Sequence, residues 1–298
     1  MTAAPRVTVI MPVYNGAASI GRALATVLVQ SFGDFELIVV DDASTDDLAG
    51  ALAAYPDPRV RLLRHAVNQG AAAARNNALR LAQGAYVAFI DADDEWLPEK
   101  LERQVARLDA SPPEAGLSIT GYYLVRDRLG RREARPLGDE ADWYMRLLAG
   151  CTVSFGSCAL VRRSLFDEIG GFDETMRRLE DWDWLLRYTV AHSVANIAEP
   201  LAIIHTGLGW PGVEVVRHAT EQIWDRHATS AAEHSKAARR LLLSTIFYER
   251  ASALYHHRRP VAAVWLALRS ALLFPLRGVG FYRHLLRRGG DILRWRFG

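Results

Sequence analysis

Cysteine is scarce in this 298-residue chain. Cys151 and Cys158 are too few for a disulfide scaffold or a four-cysteine zinc site. Neither has a partner pattern suited to nucleophilic work, so both read as small buried residues in a reducing compartment. Long apolar runs are missing too. No stretch of about 20 residues is both apolar and uncharged, so no membrane-spanning helix is expected. Met1–Arg6 lacks the charged start and long apolar stretch of a secretory leader. There is no internal repeat and no low-complexity segment. With 50% apolar and 23% charged residues the composition is that of an ordinary globular protein, which excludes disordered, collagen-like and coiled-coil classes. The length suits one large domain or two small ones.

The net charge of +2 conceals an asymmetry. Residues 236–298 carry 13 Lys and Arg against 2 Asp and Glu, while the preceding 235 residues carry 23 against 32. A mildly acidic body with a basic tail fits a peripheral membrane protein or a nucleic-acid binder, and composition does not choose between them.

The first 110 residues alternate strand-like and helix-like runs. Val7–Met11, Glu36–Val40, Val60–Leu63 and Tyr86–Ile90 read as strands. Helices are expected after Ser19 as a cap, over Ala71–Gln83, and from Pro98 in a first turn to about Ala110. This alternation predicts βαβ units and a parallel sheet with helices on both faces. Beyond Ser111-Pro112-Pro113 come Leu117–Val125, an Arg-rich polar loop at Arg126–Arg135, and a helix near Ala141–Leu148. Then follow Cys158–Val161, a helix over Arg163–Ile169 stopped by Gly170-Gly171, and a helix over Asp181–Ala191. Short strands are expected near Val194–Ile197 and Leu201–Ile204. This second half is read as packing on the same sheet, and everything from Val213 onward as helical.

Ligands of open α/β sheets bind at the carboxyl ends of the strands. Three of the four early strands run into polar segments there: Pro12-Val13-Tyr14-Asn15-Gly16, Asp41-Asp42-Ala43-Ser44-Thr45-Asp46 and Asp91-Ala92-Asp93-Asp94. So many carboxylates at one edge repel one another unless a cation or a donor-rich ligand sits among them. Two aspartates one residue apart just past a strand suit a hard divalent ion such as Mg²⁺ or Mn²⁺, which bridges to phosphate oxygens. The plainer reading is a solvated acidic loop with Asp94 or Glu95 capping a helix. Asp41-Asp42 likewise reads either as an acidic turn capped by Ser44 or Thr45, or as an acceptor for a base or ribose. A phospho-acceptor aspartate of a receiver-like domain ranks low, because it needs only about 120 residues and leaves half the chain unexplained.

The strings VTVIMPVYNG, FELIVVDDASTD, NQGAAAARNNAL and AYVAFIDADDEWLPEKL closely resemble family 2 of the inverting glycosyltransferases. Gly170-Gly171-Phe172-Asp173-Glu174 and Leu179-Glu180-Asp181-Trp182-Asp183 resemble that family's acceptor-side segment. The resemblance covers about residues 6–210. It implies an α/β protein of the GT-A fold, with a mostly parallel, Rossmann-like nucleotide-binding sheet flanked by helices. It also implies an acceptor-binding half and, here, a C-terminal helical extension. The expected divisions are 1–110, 111–212 and 213–298.

Carried over by position, Pro12 through its backbone and Tyr14 by stacking would hold the base. Asp42 would accept from the base, and Arg75 would sit beside the base or diphosphate. Asp91 and Asp93 would bind the donor and its Mn²⁺ or Mg²⁺. Asp181, with Glu180 beside it, would be the catalytic base of a single displacement at the anomeric carbon. One base and one metal suffice for that reaction, unlike the paired carboxylates of glycosidases. The competing role for Asp181 is a first-turn aspartate favoured by the helix dipole. Trp182, Trp184 and Trp210 offer either a sugar platform or core packing. His205 could reach the diphosphate or metal, and reads first as a structural residue.

The tail segment Pro260–Pro275 is apolar but short and holds Arg269. It is flanked by Arg258, Arg259 and Arg277, then by Arg283, Arg287, Arg288, Arg294 and Arg296 among Phe281, Tyr282, Leu285, Leu286 and Trp295. That pattern suits an in-plane helix on an anionic leaflet. Its alternative is a helix pair packed on the catalytic part or on a second subunit, and nucleic acid ranks third. The expected enzyme transfers a sugar, from a UDP-sugar by preference, to a glycan or lipid-linked acceptor in cell-surface glycan synthesis. It would work in the cytoplasm, peripheral on the inner membrane face, with homo-oligomerisation open. A catalytically silent relative serving as an assembly subunit is the first alternative. A sugar nucleotidyltransferase is the second, and the lack of Lys or Arg in Pro12–Ser19 counts against it.

Overall fold

A computed structural model describes residues 4–126, 131–138, 140, 142–206 and 210–275. They divide into two compact units, one formed by the described residues of 1–147 and 151–209, the other by those of 148–150 and 210–298. The first opens with β1 (Val7–Val13), α1 (Ile20–Leu28), β2 (Phe35–Asp41), α2 (Leu48–Ala53), β3 (Val60–Arg64), α3 (Ala71–Leu79) and β4 (Tyr86–Phe89). It continues through β5 (Glu95–Trp96), α4 (Lys100–Asp109), β6 (Leu117–Arg126), β7 (Arg131–Arg135), α5 (Trp143–Leu148) and α6 (Phe155–Cys158). It closes with β8 (Ala159–Arg162), α7 (Ser164–Glu168), α8 (Glu180–Thr189) and β9 (Ile197–His205).

The strand order is β3-β2-β1-β4-β8-β6-β9-β5, with β7 on β6. β3, β2, β1 and β4 are all parallel, as βαβ units require. Beyond them β8 runs antiparallel to β4 and β6, while β9 is parallel to β6, so the complete sheet is mixed. β1, β2 and β4 are almost entirely buried, which explains their unbroken apolar sequences. α3 covers β1 and β2 through Ala72, Ala73, Ala74 and Ala78, whose small side chains let the helix approach closely.

Several local expectations need correction. Ser19 is the N-cap of α1, but its hydroxyl donates back to the Gly16 carbonyl and caps nothing. Asp47, not Ser44 or Thr45, caps α2 by accepting from the Gly50 N–H. α4 starts at Lys100 with Glu99 as N-cap, so Pro98 precedes the helix and neither Asp94 nor Glu95 caps it. Of the two short strands expected near 194–197 and 201–204, the second lies within β9, while Val194 makes only an isolated bridge to Leu117. Glu199-Pro200 interrupts the sequence pattern, and the fold absorbs it at an irregularity in pairing, where Pro200 faces Gly121. The Arg-rich segment 126–135 supplies β7; residues 127–130, Ala141, 207–209 and the tail beyond 275 lie outside the described residues.

An aromatic cluster fixes α8 against the sheet. Phe89 of β4 meets Phe155 at 5.4 Å between ring centroids, Phe155 meets Trp184 at 5.5 Å, and Trp184 stacks on Tyr188 at 5.5 Å. Each such pair contributes about 0.5–1.5 kcal/mol beyond simple burial. Trp182 and Trp184 are fully buried, so they are core residues and not a sugar platform. Cys158 is buried as expected and Cys151 partly so.

Lys100 is fully buried and has no carboxylate partner among the described residues. Its Nζ donates to Gln104 Oε1 at 2.7 Å and lies 4.0 Å from the Trp96 ring centroid. Burial lowers its pKa to about 7. Below pH 7 the folded state carries the full cost of burying the charge. Between pH 7 and the ordinary lysine value the unfolded chain binds more protons, so this group makes stability rise with pH. Lys100→Met is expected to remove that slope, which corresponds to a few kcal/mol. Urea melts at pH 7 and pH 9.5 would show the difference.

The second unit contains α9 (Val213–His234), α10 (Lys236–His256) and α11 (Pro260–Leu273), with α10 packed against both others. Ser235 caps α10 by accepting from the Ala238 N–H at 3.0 Å, and Pro260 takes the first turn of α11, where its missing N–H costs nothing. Trp210 belongs to this unit and stacks on His256 at 3.7 Å.

Candidate active site

A cleft of about 320 Å³ opens at the carboxyl ends of β1, β2 and β4, where an open sheet places its ligand. Pro12, Tyr14, Asp42, Asp91 and Asp93 all line it. Tyr14 leaves 53% of its surface exposed, so its ring face is free to stack. The loop carrying it is held by side-chain bonds from the next crossover. Asn15, at φ 52, accepts from the Thr45 N–H through Oδ1, and its own N–H donates to Ser44 Oγ. The Ala17 N–H donates to Asp46 Oδ2. An asparagine tolerates this left-handed backbone better than most residues.

Asp42 is buried, and its carboxylate organises the turn into α3. Oδ1 accepts from the Gln69 N–H at 2.8 Å and from His65 Nδ1 at 2.8 Å, and Oδ2 accepts from the Gly70 N–H at 2.8 Å. The Asn77 amide donates to His65 Nε2 at 2.6 Å, which leaves the ring proton on Nδ1, facing Asp42. A carboxylate has about four acceptor positions, so Oδ2 keeps one for a ligand donor. Its neighbour Asp41 points elsewhere, accepting from the Ser44 N–H and pairing with Arg64.

The Asp91–Asp94 segment is braced by α6, whose part the sequence does not announce. Ser157 Oγ accepts from the Asp91 N–H at 3.0 Å and donates to Asp94 Oδ2 at 2.5 Å. A Cβ on Gly156 would lie 2.5 Å from Asp91 Oδ2, so glycine there leaves room for that carboxylate. Asp94 is buried, and its pKa is pushed up to about 8 by burial and by the Asp91 charge. It is a buttress that also accepts from the His205 N–H at 2.9 Å. His205 Nε2 pairs with Glu95 at 2.7 Å, the structural role read first for it. Arg22 donates to the Asp93 carbonyl at 2.7 Å.

Asp93 itself is exposed, with its pKa raised by desolvation and by Asp91. Two such carboxylates repel each other until a cation joins them, and their oxygens are the ligands a hard ion prefers. Among the described residues no group of three or more His, Cys, Asp or Glu side chains could hold a metal alone. One or two carboxylates are the protein ligands that suit an ion keeping waters and taking diphosphate oxygens, as Mg²⁺ and Mn²⁺ do.

Arg75 does not line the cleft. It is buried, and its guanidinium bridges Asp91 at 2.9 Å and Glu180 at 2.6 Å, 5.7 Å from the Phe172 ring centroid. Burial alone would lower its pKa, but Asp91, Glu180 and Asp181 outweigh that and raise it. Through this bridge α8 meets the end of β4. Leu179, just before α8, adopts φ 66, a strained conformation for a branched residue costing on the order of 1–3 kcal/mol. Asp181 follows in the first turn. It accepts from the Trp182 N–H on Oδ1 at 2.8 Å, which leaves Oδ2 open to a proton. Burial and the adjacent Glu180 push its pKa up to about 6, against the pull of Arg75. Behind it Asp183 pairs with Arg187, which donates to the Ile169 and Gly171 carbonyls and ties down the glycine turn.

Residues 8–170 match the family described as Glycosyl transferase family 2. The chain belongs to that family. This glycosyltransferase is 30% identical over 208 residues to WcaA of Escherichia coli (strain K12), named as a colanic acid biosynthesis glycosyl transferase; the match covers 69% of this chain and 74% of WcaA. It is 40% identical over 102 residues to the UDP-Glc:α-D-GlcNAc-diphosphoundecaprenol β-1,3-glucosyltransferase WfgD of Escherichia coli, covering 34% of this chain and 40% of WfgD. Among solved structures, the mannosyltransferase PcManGT from Pyrobaculum calidifontis in complex with GDP-Man and Mn²⁺ shares the fold at a TM-score of 0.58 and 24% identity. That likeness covers 98% of this glycosyltransferase and 81% of PcManGT. The α/β architecture is the GT-A type.

Proposed function

We propose that this glycosyltransferase is an inverting, metal-dependent enzyme. It moves a sugar from a nucleotide-sugar donor, by preference a UDP-sugar, to the hydroxyl of a glycan or lipid-linked acceptor. The process would be cell-surface polysaccharide or glycolipid synthesis at the cytoplasmic face of the membrane. The supporting observation is the Asp91–Arg75–Glu180 bridge, which ties the carboxylate at the end of β4 to the first turn of α8.

In this reading Pro12 and Tyr14 bound the base, and Asp42 accepts from it through the free position on Oδ2. Asp91 and Asp93 would hold the divalent ion. When bound, that ion supplies positive charge to the leaving diphosphate, so the protein needs no acid on that side. Asp181 takes the proton of the attacking acceptor hydroxyl, which adds to the anomeric carbon opposite the diphosphate as the glycosidic bond to it breaks. The pairing of Glu180 with Arg75 supports assigning the base to Asp181 and not to Glu180. The kinship with WcaA and WfgD supports the process, and the WfgD name supports a UDP donor.

A thermal-shift panel of UDP, GDP, dTDP, CMP and their common sugars, with and without Mn²⁺, tests the donor. Ligand at 100 times its Kd stabilises by about 2.7 kcal/mol, a rise of several degrees for a chain of this size. A Mn²⁺-dependent rise with UDP or a UDP-sugar is expected. The absence of a rise with every nucleotide would overturn the reading.

A further inference from the structure

α11 is built inside out. Its buried residues are the small Ala263 and Ser270, and Ser270 exchanges hydroxyl hydrogen bonds with Ser244 of α10 at 2.7–2.9 Å. Five of its large apolar residues face the other way. Val261, Val264, Trp265, Leu268 and Leu272 are each 57–84% exposed. Their spacing of i, i+3, i+4, i+7 and i+11 places them within about 100° of one helix face. A soluble helix left to itself buries such a face, so a contiguous apolar stripe of this size marks a contact surface.

The surrounding charge says what kind of surface it meets. From residue 250 to 290 the sequence holds no Asp or Glu, and Arg258, Arg259 and Arg269 stand at the start and edge of the stripe. Arg258 and Arg259 are exposed. The Arg269 guanidinium lies 4.6 Å from the Trp265 ring centroid and 4.7 Å from that of Phe247, so a cation is held against aromatic rings at the edge of the stripe. Two copies meeting through this face would bring like charges together; an anionic surface would not. The helix is 14 residues, about 21 Å, well short of an apolar bilayer core of about 30 Å. No described helix is long and apolar enough to cross a membrane.

We infer that the Val261–Leu272 face of α11 lies in the plane of an anionic lipid surface, with its apolar side chains at the acyl boundary and Arg258, Arg259 and Arg269 among the headgroups. This deepens the membrane part of the proposed function and stands apart from the donor chemistry.

The test is flotation of the full chain with phosphatidylcholine vesicles, with and without phosphatidylglycerol, at low and high salt. Binding is expected only with phosphatidylglycerol and should weaken with salt. Trp265→Ser/Leu268→Ser/Leu272→Ser should lower vesicle partition on the order of 100-fold, and Arg258→Gln/Arg259→Gln roughly 10-fold or more. Val190→Ser, which removes an exposed valine elsewhere, should change nothing. Each variant must keep the parent melting temperature. Three results would overturn the inference: no flotation of the parent chain, undiminished flotation of the triple variant, or a vesicle-free dimer in sedimentation that the triple variant abolishes. The UDP–Mn²⁺ thermal shift is read on the same samples, and its absence with flotation intact counts against the donor reading alone.

Discussion

Asp181→Asn is expected to lower kcat by roughly 10²–10⁴-fold, the usual worth of a positioned general base, while the nucleotide-induced thermal shift survives. Asparagine keeps the shape and the oxygen that accepts from the Trp182 N–H, so folding and donor binding have no reason to change. What disappears is the ability to hold a proton. The same carboxyl sets a pH signature. Its pKa, raised to about 6 by burial and by Glu180, means that the working, ionised form is lost as pH falls through 6. Below that the parent rate should drop about tenfold per pH unit, and above pH 7 it should be flat on this account. A variant that retains the parent rate, or a parent profile flat down to pH 5, would remove Asp181 from the role of base.

The second large effect is expected at Asp93. Asp93→Asn should reduce kcat/KM for the nucleotide sugar by roughly 10²–10³-fold, because charge compensation at a leaving diphosphate is worth several kcal/mol. The diagnostic reading is binding, not rate. In calorimetry the Asn variant should lose the Mn²⁺-dependent part of UDP affinity, yet bind uridine as the parent does, since Tyr14 and Asp42 are untouched. The exposed position of Asp93 makes this a clean substitution, and removing its charge relieves the repulsion from Asp91. Full Mn²⁺ enhancement of UDP binding in Asp93→Asn would place the ion elsewhere.

The parallel half of the fold is legible because each buried strand is an apolar run ending in the polar residues of the cleft. Tyr14, Asp42, Asp91 and Asp93 each follow such a run directly, so finding the strands finds them. What pairing across long sequence distance decides is not legible. The family resemblance puts Arg75 beside the donor, whereas its two partners, Asp91 and Glu180, lie 16 and 105 residues away and no local pattern shows them. Ser157 and Gly156 sit in a four-residue helix with no periodicity to flag it, and their importance comes only from Asp91 and Asp94 lying against them. Pro200 hides β9 by breaking the apolar pattern, because a sequence pattern does not show that its neighbour Gly121 supplies an irregular register to receive it. The outward face of α11 has a helical spacing anyone can read; which side is covered depends on α10.

The bonds that tie Asn15 and Ala17 to Ser44, Thr45 and Asp46 carry a consequence for redesign. The rim of the cleft proposed for the base is a single mechanical part assembled from two crossovers, so its walls cannot be tuned one at a time. A change at Thr45 that alters the Asn15 bond also re-aims Tyr14. Efforts to exchange one nucleobase for another therefore belong in libraries that vary both loops together. The Arg75 bridge, built on other residues, can be left alone while they do.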